Sequence, residues 1–85
     1  MTLQQLHYAI VISETGSMNK AAERLYIAQP SLTGAMQELE RELGITIFHR
    51  SGRGVTLTND GTELLGYARQ VIEQADMLEM RYADK

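Results

Sequence analysis

The chain has 85 residues, 44% of them hydrophobic, with a net charge of −3 and no cysteine. That length suits one small domain near the lower limit for a single core, and without cysteine neither a disulfide nor a thiolate metal site can staple it. The acidic balance speaks against a generic nucleic-acid binder, but residues 20–53 carry a net +1 while residues 54–85 carry −3, the rest coming from Glu14. Local charge, not the total, decides what a surface attracts. The two histidines, His7 and His49, are isolated from one another, so no metal cluster is expected. No apolar run approaches membrane-spanning length, and LHYAIVIS is short and has no basic flank, unlike a signal peptide. A soluble cytoplasmic domain with no membrane contact is therefore expected.

Thr2 followed by Gln5 fits a capping box, and Leu3, Leu6 and Ile10 then recur at helical spacing up to Gly16, which suits a C-terminal cap. Ser17 can cap a short second helix, MNKAAERL, that ends at a turn around Tyr26 and Ile27. A third helix over residues 29–43 carries Pro30 in its first turn, where the missing N–H is harmless. Its apolar positions are Leu32, Met36, Leu39 and Leu43, and Gly44 closes it. ITIFHR, a Ser-Gly-Arg-Gly turn and VTLT then predict two strands joined as a hairpin. Thr58 is placed to cap a final helix from 59 to about 82, with Asp60 at the positive end of its dipole. Three helices, a hairpin and a long helix make a mainly α chain in the order of a winged helix-turn-helix, with residues 1–58 as the winged domain and 59–85 as an appended linker.

Ala21 and Ala22 allow a close helix crossing, and Leu25, Ile27 and Leu32 fill its angle. A short turn between such helices is the helix-turn-helix signal, although an ordinary helical corner in a core shares it. The outer face of the third helix separates the two readings. Pro30, Gly34, Gln37 and Arg41 lie opposite the apolar stripe, with Gln29, Ser31 and Thr33 around the entering end. An ordinary solvated face carries long charged side chains; this one is short and polar at its start. Short groups permit approach to the floor of a major groove, Gln pairs bidentately with adenine, and Ser or Thr bonds either donors or acceptors on base edges. Arg50 and Arg53 add two guanidinium groups to the hairpin tip, suited to phosphate or minor-groove contact beside that helix. The acidic run ELERE, residues 38–42, is expected to be mostly a solvated end of the third helix, away from the DNA.

In the last helix Leu65, Ala68, Ile72, Ala75 and Tyr82 form one a/d-like seam, and Leu64, Val71 and Leu78 a second row at spacing seven. Twenty-four residues extend about 36 Å, far beyond so small a core. Dimerisation through Leu65, Ala68, Val71, Ile72, Ala75, Leu78 and Tyr82 is the expectation. No nucleophile–base pair, phosphate loop or zinc spacing is present, so no catalysis and no cofactor are expected.

The run AAERL, QPSL, LE, LG, F.R, R, LT..G resembles the N-terminal DNA-binding domain of LysR-type transcriptional regulators across essentially the whole chain. The resemblance implies a winged helix-turn-helix, a linker helix through which two subunits pair, and a larger ligand-sensing domain absent from this sequence. It implies double-stranded DNA and a second copy as partners, a tetramer as a further assembly of the parent protein, and an inducer acting only through the absent domain. It places Gln29, Pro30 and Thr33 at the DNA, with Arg50 and Arg53 as the wing arginines. Ala28 departs from the Ser or Thr usual there, and Gly34 and Ala35 stand where a long polar or basic residue and a Gln are common. The alternative function is a winged-helix module that uses its third helix on a protein.

Overall fold

The computed structural model describes residues 1–84; Lys85, the end of the predicted linker segment, lies outside them. The elements run α1 (Leu3–Thr15), α2 (Met18–Leu25), α3 (Gln29–Leu43), β1 (Phe48–Ser51), β2 (Gly54–Leu57) and α4 (Asn59–Tyr82). Local capping chemistry sets nearly all the helix ends. Thr2 Oγ1 accepts from the Gln5 N–H at 3.0 Å while Gln5 Oε1 accepts from the Thr2 N–H at 3.0 Å, closing the predicted box. Ser17 Oγ accepts from the Lys20 N–H at 3.2 Å and Thr58 Oγ1 from the Gly61 N–H at 2.8 Å. Gly16 and Gly44 end α1 and α3 in the left-handed region, where glycine has no Cβ to clash.

The turn between α2 and α3 ends differently. Tyr26 takes a left-handed conformation with φ +57°, unfavourable for a residue with a Cβ, and its ring is 95% exposed. Its N–H and that of Ile27 both bond back to the end of α2, so only Tyr26, Ile27 and Ala28 separate the two helices. This tight corner rests on Ala21 and Ala22, both buried.

Helix α1 is the centre of the packing and touches α2, α3, β2 and α4. Leu6, Ile10, Val11 and Ile12 from α1 meet Leu32, Met36 and Leu39 from α3, with Ile47 and Leu65 closing the core. Leu65 is 3% and Ala68 1% exposed, and Ile72 packs against the same cluster. The core therefore runs past residue 58, into the helix that the sequence assigns to a linker. An ion-pair cluster lies over this junction: Glu14 accepts Arg24 at 3.0 Å and Arg69 at 3.9 Å, joining α1, α2 and α4.

The hairpin departs from the expected boundaries. Strand β1 begins at Phe48, not Ile45, and pairs antiparallel with β2 through Phe48–Leu57, His49–Thr56, Arg50–Val55 and Ser51–Gly54. Ile45 is held instead in the closing turn of α3, its N–H bonded to the Glu40 carbonyl. The Glu40 carboxylate takes the Ile47 N–H at 2.6 Å and the Phe48 N–H at 3.4 Å. ELERE is thus not wholly a solvated run, because Glu40 straps α3 to the hairpin. At the other end, Thr58 Oγ1 donates to the Thr46 carbonyl, and the Thr58 N–H bonds the Ile47 carbonyl at 3.0 Å. Gly61 lies so close beneath that a Cβ there would overlap the Ile47 carbonyl oxygen.

Candidate nucleic-acid interface

The first turns of α3 present short and uncharged side chains to the surface. Pro30, Ser31, Gly34 and Gln37 are exposed, and Gln29 and Thr33 are half-buried. Nothing lies within 4 Å of where a Gly34 Cβ would be, so packing does not require glycine there. A mid-helix glycine costs about 1 kcal/mol relative to alanine, and its effect here is to leave the outer face flat. Ala28 caps the helix with no side-chain hydrogen bond, as its substitution for Ser or Thr implies. The Ala28 carbonyl takes the Ser31 and Leu32 N–H groups at 3.0 and 3.3 Å and Pro30 has none to give, so in this first turn the Gln29 N–H is the group left for an outside acceptor.

Gln29, Thr33 and Arg50 come together into one network. Gln29 Nε2 donates to Thr33 Oγ1 at 2.9 Å, and Arg50 Nη2 donates to the same oxygen at 2.9 Å. Arg50 is therefore not at the hairpin tip, where the sequence places it. It stands in β1 opposite Val55 and reaches across to α3. Arg53 does occupy the tip. The two-residue Gly52–Arg53 loop is held by the Arg53 N–H on Ser51 Oγ at 3.2 Å, and among the described residues the guanidinium meets no carboxylate.

Between the wing and the start of α2 lies a groove of about 530 Å³ lined by Ser17, Asn19, Lys20, Gln29, Arg50 and Arg53 among others. Its lining includes three cations and no carboxylate, in a chain whose net charge is −3. The hairpin is seated against this side by the Val55 N–H on the Gly16 carbonyl at 3.0 Å, where Gly54, at φ +129°, leaves no room for a Cβ. Ser17, Asn19 and Lys20 are absent from the sequence-derived site. One signal did mark them: a lysine in the first turn of a helix opposes the helix dipole and makes sense beside an anion.

The second candidate surface is on α4. Tyr67, Val71, Leu78 and Tyr82 are exposed, at 64%, 42%, 62% and 54%. With half-buried Leu64 and Ala75 they form a continuous stripe at helical spacing. Leu65 and Ala68, predicted to meet a partner, are instead withdrawn into the domain's own core, and Ile72 packs beside them. The reason is rotational. The two apolar rows lie on adjacent faces, and the fold turns the 65/68/72 row inward. Tyr67 belongs to the exposed stripe and was missed, although it lies three residues after Leu64 and four before Val71.

Residues 3–62 match the model of the lysR family of bacterial regulatory helix-turn-helix proteins. The chain is similar to the transcriptional regulator ClcR of Pseudomonas putida, 41% identical over 95% of this chain and 28% of that protein. The chain thus spans little more than a quarter of that relative. Among solved structures, the crystal structure of the CbnR DNA-binding domain with DNA is 42% identical, with a TM-score of 0.92 over 95% of this chain and 93% of that one. The DNA-binding domain of BenM with its benA site 1 DNA is 37% identical, with a TM-score of 0.90 over the whole of both chains.

Proposed function

This chain belongs to the lysR family of bacterial regulatory helix-turn-helix proteins, and on that premise we propose that it binds double-stranded DNA sequence-specifically to regulate transcription. The entering end of α3 lies in the major groove, with Gln29, Pro30, Ser31, Thr33, Gly34 and Gln37 facing the bases. Arg53 meets the backbone or the minor groove beside it. The observation that carries this reading is the carboxylate-free groove of Lys20, Arg50 and Arg53 adjoining a short, polar helix end. Acidic groups are abundant elsewhere in the chain, so their absence from this groove favours a polyanion. Similar domains have been solved in complex with DNA, which supports DNA as the ligand.

The working unit is a homodimer joined through the exposed α4 stripe, because nothing among the described residues covers Tyr67, Val71, Leu78 and Tyr82. Two α3 helices then address two half-sites. The protein acts in the cytoplasm, without catalysis, and responds to small molecules only through a further domain of the parent protein.

Fluorescence anisotropy with duplex DNA at about 50 and about 200 mM salt tests the reading. Two phosphate contacts per protomer, from Lys20 and Arg53, make four in the dimer and predict a loss of roughly 150-fold in affinity across that range. Absence of binding at the lower salt would return the chain to the protein-interaction alternative.

A further inference from the structure

We infer that Arg50 is a positioning residue for base readout: a wing-strand arginine that fixes the hydrogen-bonding role of Thr33 and the orientation of Gln29. The inference rests on the DNA-binding reading above and concerns what Arg50 does within it. The sequence suggests a phosphate clamp on a mobile tip. The structure has Arg50 in β1, paired with Val55, its Nη2 on Thr33 Oγ1 at 2.9 Å.

A threonine hydroxyl has two acceptor lone pairs and one proton to donate. Here Gln29 Nε2 and Arg50 Nη2 fill both acceptor sites, each at 2.9 Å. Thr33 is left able only to donate. A donor at that point suits the N7 or O6 of guanine, the N7 of adenine or the O4 of thymine, and rejects the amino group of cytosine. Gln29 keeps Oε1 and one Nε2 proton, the pair that recognises adenine through its N6 and N7. Without Arg50 the Thr33 hydroxyl regains a free lone pair and serves as donor or acceptor, so its base selectivity broadens.

The geometry is held from both sides. Glu40, two turns along α3 from Thr33, grips the Ile47 and Phe48 N–H groups at the start of β1. Arg50, two residues beyond Phe48, reaches back to α3. The two links run in opposite directions between the same pair of elements, so the guanidinium arrives at Thr33 from a braced strand.

The test is selection by the 85-residue chain from a pool of duplexes randomised in sequence, followed by titration of the best duplex and a scrambled one. Arg50→Lys keeps the charge but loses the planar fork. We expect it to lower the ratio of selected to scrambled affinity by about tenfold while leaving the salt slope unchanged. Thr33→Val should lower the ratio similarly, and the double variant no further, because both break one network. Arg50→Gln, neutral and shorter, should lose the same discrimination with the salt slope little changed, because Arg50 is on Thr33 and not on a phosphate. A slope flattened as by a lost phosphate contact would count against the assignment. Thermal melts establish that each variant is folded at the assay temperature, and Arg50 is exposed on a two-stranded edge, so Lys and Gln are both tolerated there. Equal weakening on both duplexes, full discrimination by Arg50→Lys, or additive losses in the double variant would overturn the assignment and return Arg50 to the phosphate. A wild-type chain that neither selects nor binds would instead remove the DNA-binding reading itself, and this inference with it.

Discussion

The entering end of α3 and the far half of α4 are both exposed, and they are exposed in opposite ways. At α3 the side chains are short and polar, and one of them, Thr33, already accepts from Gln29 on the same helix and from Arg50 of β1. Along α4 the stripe of Tyr67, Val71, Leu78 and Tyr82 is apolar and unpartnered within the chain. In the function proposed above, the difference reflects what each surface would meet. A base edge offers fixed donors and acceptors, so the groups that read it benefit from being oriented beforehand, which lowers the ordering cost on binding. A second copy of the helix offers apolar area, and burying that area supplies the driving force with little directional demand.

The sharpest way to break this comparison is to exchange core for stripe. Leu65→Ala should destabilise the fold by about 3 kcal/mol, since Leu65 is 3% exposed and its loss leaves a cavity. Leu78→Ala, at 62% exposure, should change monomer stability by no more than about 0.5 kcal/mol. Urea titrations at low protein concentration compare the two, and similar losses would show that the stripe is core after all. A charge placed on the stripe comes next. Leu78→Glu or Val71→Glu should raise the dimer dissociation constant about 100-fold, because an unpaired carboxylate is costly to desolvate. Sedimentation over a range of concentrations measures this. Ile72, which the seam pattern marks for the same substitution, would confuse unfolding with dissociation, because it packs on the core.

Two smaller effects sharpen the DNA side. Arg53→Ala should weaken selected and scrambled duplexes equally and reduce the salt slope by about 1.8, the signature of one lost phosphate contact in each protomer of the dimer. A selective loss would make Arg53 a base or groove-shape reader. Smallest of all is Ala28→Ser. Ala28 has the extended backbone of an N-cap, φ −69° and ψ 140°, without the side chain to use it. Adding a hydroxyl should stabilise the chain by about 1 kcal/mol, raising the melting temperature by roughly 4–8 °C for a domain of this size. An unchanged melt would mean that the Ser31 N–H, already bonded to the Ala28 carbonyl at 3.0 Å, gains nothing from a second acceptor.

The helices were legible in the residues alone, down to their caps, because a cap is a conversation between neighbours. Thr2 with Gln5, Ser17 with Lys20 and Thr58 with Gly61 are each three residues apart, and that spacing is fixed by helical geometry before any tertiary contact forms. The short polar end of α3 was legible for the same reason: one face of a helix follows directly from its period. What the tertiary structure alone decided are the features that depend on partners distant in the chain. Strand β1 starts late because the Glu40 carboxylate, seven residues earlier, takes the Ile47 N–H. Arg50 is turned onto Thr33 across a separation of 17 residues, a pairing that no local pattern encodes. The α4 rows were both visible in the sequence, but which one faces inward depends on how α4 is rotated against α1. That rotation is set at the helix start, where Thr58 bonds the carbonyls of residues 46 and 47 and Gly61 fits closely beneath Ile47.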